Sequence, residues 1–107
     1  MIGIDIVEVS RFGNRQPEEY LGKIFNRSEI DYINAKPHKA QTMAGIFAAK
    51  EAVVKALGLG FTAEMVPCDI TVLHDGNGCP SVSLDCKEIR ISISHTGGVA
   101  VAVAVVL

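Results

Sequence analysis

At 107 residues the chain has room for one domain with a limited core, so oligomerisation is a sensible way for it to gain buried surface. Its 49% apolar residues exclude a disordered chain, while a formal net charge of −2 and only 6% aromatics argue against a nucleic-acid binder. The charges are scattered, with no acidic or basic run of the kind that forms a tail.

The opening Met1-Ile2-Gly3-Ile4-Asp5 has no basic n-region, apolar h-region or cleavage site, and predicts no targeting segment. Ile2, Ile4 and Ile6 alternate with Gly3, Asp5 and Val7, which predicts a strand with one acid, Asp5, at its middle. Pro17 followed by Glu18 and Glu19 predicts a short helix running to about Phe25. Ser28, with Asp31 three residues on, reads as the cap of a second helix that Pro37 ends. Residues 40–57, rich in alanine and stopped by Gly58, are the longest helical segment.

Gly58-Leu59-Gly60 and Pro67 mark a loop. Cys68 to Leu73 and Ser81 to Leu84 read as two strands joined by the turn Asp75-Gly76-Asn77-Gly78. Over Glu88 to Ser94, Ile89, Ile91 and Ile93 face one way, and Thr96-Gly97-Gly98 then turns the chain. Val99 to Leu107 has no polar residue, so both faces of that last strand should be covered; its nine residues fall well short of a membrane-spanning helix. Cys68, Cys79 and Cys86 form an odd set without a CxxC pair and fit a reduced, cytoplasmic protein in which all three are small buried or half-exposed side chains. The fold class is α+β, with helices in the first half and a mainly antiparallel sheet in the second that the first strand joins.

On a helical wheel of residues 43–57, Met43, Ile46, Phe47, Val53, Val54 and Leu57 cover one broad arc, and Gly45, Ala48, Ala49, Ala52 and Ala56 fill the other side. A helix apolar all round is usually buried, yet Lys50 falls inside the large apolar arc, Glu51 at its edge and Lys55 one turn beyond. Such charges need partners. A plain Glu51–Lys55 pair at i,i+4, worth about 0.2–0.5 kcal/mol where exposed, is one reading. The other is convergence of Glu51 with Asp5 on a hard cation such as Mg²⁺, with lysines and a glycine-flanked loop suited to a phosphate ligand. Taken singly, Gly58-Leu59-Gly60 can be a helix stop, His95 a structural histidine and Arg11 a solvated charge.

The segments Ile2-Gly3-Ile4-Asp5-Ile6-Val7-Glu8-Val9-Ser10-Arg11-Phe12 and Phe47-Ala48-Ala49-Lys50-Glu51-Ala52-Val53-Val54-Lys55-Ala56 together resemble the holo-acyl-carrier-protein synthase family. Gly58-Leu59-Gly60, Asp69-Ile70, Asn77-Gly78-Cys79-Pro80 and Ile93-Ser94-His95-Thr96 extend the resemblance in the same order over nearly the whole chain. The resemblance implies a 4′-phosphopantetheinyl transferase-type fold over residues 1–107, assembled as a homotrimer with active sites between subunits. It implies coenzyme A as donor, Mg²⁺ as cofactor and apo-acyl carrier protein as acceptor, in support of fatty acid biosynthesis, with no nucleic-acid or membrane partner.

By the same resemblance Asp5 and Glu51 match the metal ligands and Lys55 a lysine near the pyrophosphate, these three forming the catalytic group. Lys50, Gly58, Gly60, His95 and Thr96 match positions lining the coenzyme A site, some of them facing a neighbouring subunit. Arg11 matches a basic position that contacts the acidic carrier protein, which also fits local steering of such a partner. Three departures stand out: Ile46 where the family often has arginine, Cys79 where it often has lysine, and a short stretch between Leu84 and Ile89 where many relatives carry a helix. They leave two rival readings, a non-catalytic trimer that binds coenzyme A or a carrier protein, and a purely structural trimerisation domain.

Overall fold

The computed structural model describes residues 1–62, 64–85 and 87–107. Strand β1 spans Ile2–Glu8, helix α1 Arg27–Asn34, helix α2 Lys39–Ala56, and strands β2 to β5 Thr71–His74, Pro80–Ser83, Ile89–Thr96 and Val99–Val106. β1, β5 and β4 form an antiparallel sheet in that order, and β2 and β3 form a separate antiparallel ribbon. The α+β architecture and the return of the first strand to the later sheet follow the sequence expectation.

The sheet's inner face is built to take one helix at close range. Ala100, Ala102 and Ala104 alternate inward along β5 and are buried, while the valines between them stay half-exposed on the other face. α2 crosses this smooth surface with its own alanines. At Gly3 the approach is so close that any Cβ would overlap the Ala52 carbonyl oxygen and lie 2.6 Å from the Ala56 nitrogen. The larger side chains of α2 (Met43, Ile46, Phe47, Val53, Val54) turn into a core shared with Phe12, Phe25, Ile30 and Ile33. Phe12 anchors it with edge-on contacts to Tyr20 and Phe47 at 5.4 and 6.1 Å.

Several local expectations are corrected. The segment after Pro17 is a short 3₁₀ turn, Pro17–Tyr20, because the Tyr20 carbonyl then accepts from the N–H groups of Lys23, Ile24 and Phe25 and folds the chain back at Gly22. α1 is capped by Asn26, two residues before Ser28. Its carboxamide oxygen accepts from the Glu29 N–H at 3.2 Å, and Glu29 accepts from the Asn26 N–H at 3.0 Å. Pro67–Asp69 is a 3₁₀ turn in which the Asp69 carboxylate accepts from the Val66 N–H at 2.9 Å, so β2 starts at Thr71 rather than at Cys68. The outer face of the last strand is not covered within the chain. Ile2, Ile4 and Ile6 are 70%, 62% and 66% exposed and stand opposite Val105, Val103 and Val101. Of the cysteines, Cys68 is half-buried and Cys79 exposed; Cys86 lies outside the described residues.

Candidate active site

β1 and α2 deliver the carboxylates. Asp5 shares the inward face of β1 with Gly3 and Val7, so the strand's alternation turns it toward α2 with its side chain only 14% exposed. There its Oδ1 accepts from the Lys55 ammonium at 2.9 Å, and the same ammonium donates to the Ile4 carbonyl at 3.1 Å. Lys55 is therefore paired with a residue 50 positions away, not with Glu51 one helical turn before it. The hydrogen bond to Asp5 and the charge of Asp5 raise the Lys55 pKa.

Glu51 is half-buried and, among the described residues, forms no ion pair. Burial, and after it the negative charge of Asp5, push its carboxyl above the ordinary carboxylate value, with Lys55 and Arg11 pulling partly back. Arg11 comes from the 3₁₀ turn Val9–Arg11 that ends β1, which swings it over α2, its guanidinium 4.6 Å from the centre of the Phe47 ring. Phe47 lies one turn before Glu51 on the helix, so Arg11, Glu51, Asp5 and Lys55 make one mixed-charge cluster on the β1 side of α2.

This cluster suits a hard divalent cation. It presents two carboxylates whose mutual repulsion is visible at Glu51 and which one half-exposed ammonium only partly offsets. No group of three or more His, Cys, Asp or Glu side chains that could hold a metal ion exists among the described residues.

Other expected residues are placed differently. Lys50, expected along a coenzyme A site, is fully buried. Its ammonium lies 2.6 Å from Glu29 Oε1 and also donates to the Ile24 carbonyl, so it belongs to the interior and faces no open site of this chain. Gly58, at φ +72°, closes α2: its N–H donates to the Lys55 carbonyl at 3.0 Å and the Leu59 N–H to the Val54 carbonyl at 2.8 Å. The space around Gly58 and Gly60 is open, leaving that backbone accessible.

His95 and Thr96 end β4, which lies at the opposite edge of the sheet from β1, two inter-strand steps or about 10 Å away. The His95 ring packs where a Cβ on Gly45 would stand 2.7 Å from its Nε2. It borders a cleft of about 160 Å³ with Ile46, Pro80 and Ile93, at whose wall Tyr32 and His74 stack in parallel at 3.7 Å. Burial, then the charge of Lys36, lower the His74 pKa. A larger, open groove of about 630 Å³ beside Arg15, His38 and Lys39 includes none of Asp5, Glu51 and Lys55.

Sequence reasoning missed the Tyr32–His74 stack, for which no local signal exists, and the Glu29 partner of Lys50. The latter had one: Asn26 followed by Glu29 is a capping box in its own right, and Lys50 in an apolar arc demanded an acid.

Residues 1–104 match the profile described as the 4′-phosphopantetheinyl transferase superfamily. A holo-[acyl-carrier-protein] synthase of Caldicellulosiruptor saccharolyticus is 44% identical over 97% of this chain and 93% of its own length. The crystal structure of the Helicobacter pylori holo-[acyl-carrier-protein] synthase in complex with coenzyme A superposes with a TM-score of 0.86 at 34% identity, covering 100% of both chains. A Bacillus anthracis holo-(acyl-carrier-protein) synthase in complex with coenzyme A (3′,5′-ADP) gives 0.86 at 33% identity, over 98% of this chain and 93% of that one. The chain belongs to the 4′-phosphopantetheinyl transferase superfamily.

Proposed function

We propose that this protein is a holo-acyl-carrier-protein synthase, which transfers 4′-phosphopantetheine from coenzyme A to a serine of an apo-acyl carrier protein and releases adenosine 3′,5′-bisphosphate. The observation that carries the reading is the convergence of Asp5 and Glu51 from β1 and α2, with Lys55 bonded to Asp5. In the reaction the serine oxygen bonds to the β-phosphorus of coenzyme A, the bond from that phosphorus to the bridging oxygen breaks, and the bisphosphate leaves with the electron pair. The serine proton passes to Glu51 or to water beside it.

Asp5 and Glu51 are the residues that would hold Mg²⁺, which when bound neutralises charge on the pyrophosphate. Lys55, half-exposed and anchored by Asp5, is placed to stabilise phosphate oxygens. Arg11 is exposed at the rim, where it can steer an acidic carrier protein. Open backbone at Gly58 and Gly60 leaves room for the donor beside the helix end.

A homotrimer with sites between subunits completes the reading. Its support is the exposed Ile2, Ile4 and Ile6 face, and the placement of His95 and Thr96 on the far edge from Asp5, where they can serve a neighbour rather than their own chain. Among the described residues no helix is long and apolar enough to cross a membrane. A cytoplasmic place in fatty acid biosynthesis, with residues 1–107 acting as a single domain, belongs to the same proposal.

The test is intact-mass spectrometry of an apo-acyl carrier protein incubated with this protein, coenzyme A and Mg²⁺, with an EDTA control. A phosphopantetheine-sized gain that vanishes with EDTA is expected. No gain on several carriers, from a folded protein, puts the non-catalytic binding trimer in its place.

A further inference from the structure

Among the described residues, Glu29 and Lys50 are the charged residues buried in the core, and the reaction uses neither. Glu29 Oε1 accepts from the Lys50 ammonium at 2.6 Å and from the Asn26 N–H at 3.0 Å, while Oε2 accepts from the Val72 N–H at 2.8 Å. Lys50 also reaches the Ile24 carbonyl. The start of α1, strand β2 and the loop before α1 are thus all tied to one residue of α2, and that residue immediately precedes Glu51.

We propose that the buried Glu29–Lys50 pair is a positioning device that fixes the rotation of α2 and so aims the Glu51 carboxylate at its cation. It rests on the reading of Asp5 and Glu51 as a Mg²⁺ site. Three physical considerations carry it. The face that α2 turns to the sheet is Gly45, Ala48, Ala49, Ala52 and Ala56, a smooth surface with no ridges to lock into grooves, so sheet contacts alone specify rotation weakly. Side-chain tips stand roughly 6 Å from a helix axis, so a 10° rotation carries a carboxylate about 1 Å. Mg²⁺ demands near-ideal geometry, and a misplacement of about 1 Å is the scale on which a site loses its effect.

A buried ion pair is a poor source of net stability, because desolvating two charges offsets most of their attraction and apolar replacements are often neutral. What it supplies is direction. Its bonds are short, satisfied on both partners, and lost if the helix turns.

The test separates aim from stability with Mn²⁺ as the probe, titrated by electron paramagnetic resonance in the presence of coenzyme A, beside thermal melting. Lys50→Met with Glu29→Gln removes both charges while the amide oxygen keeps an acceptor for the Val72 N–H. The double variant is expected to melt within about 5 °C of wild type, yet to bind Mn²⁺ about 10–100-fold more weakly, the range of second-sphere losses at metal sites. A folded double variant with the wild-type Mn²⁺ constant overturns the proposal. So does a loss that only tracks the folded fraction, as a purely structural pair would give. Should the double variant not fold, Glu29→Gln alone is titrated in the same way, and an unchanged Mn²⁺ constant there overturns the proposal equally. Wild-type protein that binds no Mn²⁺ removes the cation-site reading itself, a different failure from unchanged affinity in the variant.

Discussion

Gly3→Ala is the sharpest perturbation of the site that touches none of its functional groups. Gly3 lies two residues before Asp5 on β1, and it packs against Ala52, the residue after Glu51 on α2. A methyl at position 3 overlaps the Ala52 carbonyl oxygen and stands 2.6 Å from the Ala56 nitrogen, where ordinary contact begins at 3.4 Å. Both obstacles are backbone, so no side chain can swing aside. The helix has to retreat from the strand by at least roughly 0.8 Å, an overpacking that typically costs about 1–3 kcal/mol. For a domain of this size that lowers Tm by roughly 5–20 °C. The same retreat lengthens the Asp5–Lys55 bond beyond its present 2.9 Å and widens the gap between Asp5 and Glu51. Transfer should then fall about 100-fold, since reacting groups misplaced by about 1 Å lose that much. Calorimetry and initial rates of carrier-protein mass gain measure the two effects. Gly76→Ala, in open space and at an ordinary φ, is the control expected to change neither. Wild-type Tm and rate in Gly3→Ala would refute the close approach of strand and helix on which the site's geometry depends.

Ile4→Asp places a charge in the middle of the exposed isoleucine face and is expected to sediment as a monomer, against the trimer proposed for wild type, with transfer falling in parallel. Lys55→Met removes the ammonium that bridges Asp5 and the Ile4 carbonyl, and kcat should drop about 10²–10³-fold with Tm close to wild type, read by mass-gain kinetics and melting. His74 gives a pH signature: its folded pKa is depressed below 6.5, so the unfolded chain takes up its proton first on acidification. Stability from this group is complete above pH 6.5 and declines as pH falls through the depressed value, and His74→Phe, which keeps the stack on Tyr32, should flatten the fall of urea-derived stability below pH 6.5.

What the sequence makes legible here is whatever periodicity and composition encode locally. The alternation of β1, the alanine-rich run of α2, its stop at Gly58 and the Gly97-Gly98 hairpin all stand where the pattern puts them. Asp5, Glu51 and Lys55 could be singled out because charges in apolar elements need partners, but their roles came from resemblance to a family. Partner choice was the part that could not be read. Lys55 satisfies Asp5 across 50 residues in place of Glu51 at i−4, since tertiary packing brings β1 against that face of α2. Lys50 turned out to be a core residue because its acid, 21 positions back, lay in a capping box whose register was read two residues late. The 3₁₀ turns at Pro17 and Pro67 escaped for a related reason: proline and following acids mark a helix start without saying how many turns succeed it.

The exposed isoleucine face and the divided placement of the expected site residues have a common origin in the three-stranded sheet. With the order β1-β5-β4, Asp5 lies on one edge strand of the sheet and His95 and Thr96 on the other, and α2 covers only the inner face. A single chain cannot bring its two edges together, because β5 lies between them and contributes its own alanines to the seat of the helix. In the proposed homotrimer, copies that meet through the outer Ile–Val face would set one chain's β4 edge beside the next chain's β1 edge, a head-to-tail contact of the kind that forms a ring where its rotation closes. The burial a small chain lacks and the residues its site lacks would then be supplied by the same contact. A substitution such as Ile4→Asp then removes activity without touching a single group that meets the substrate.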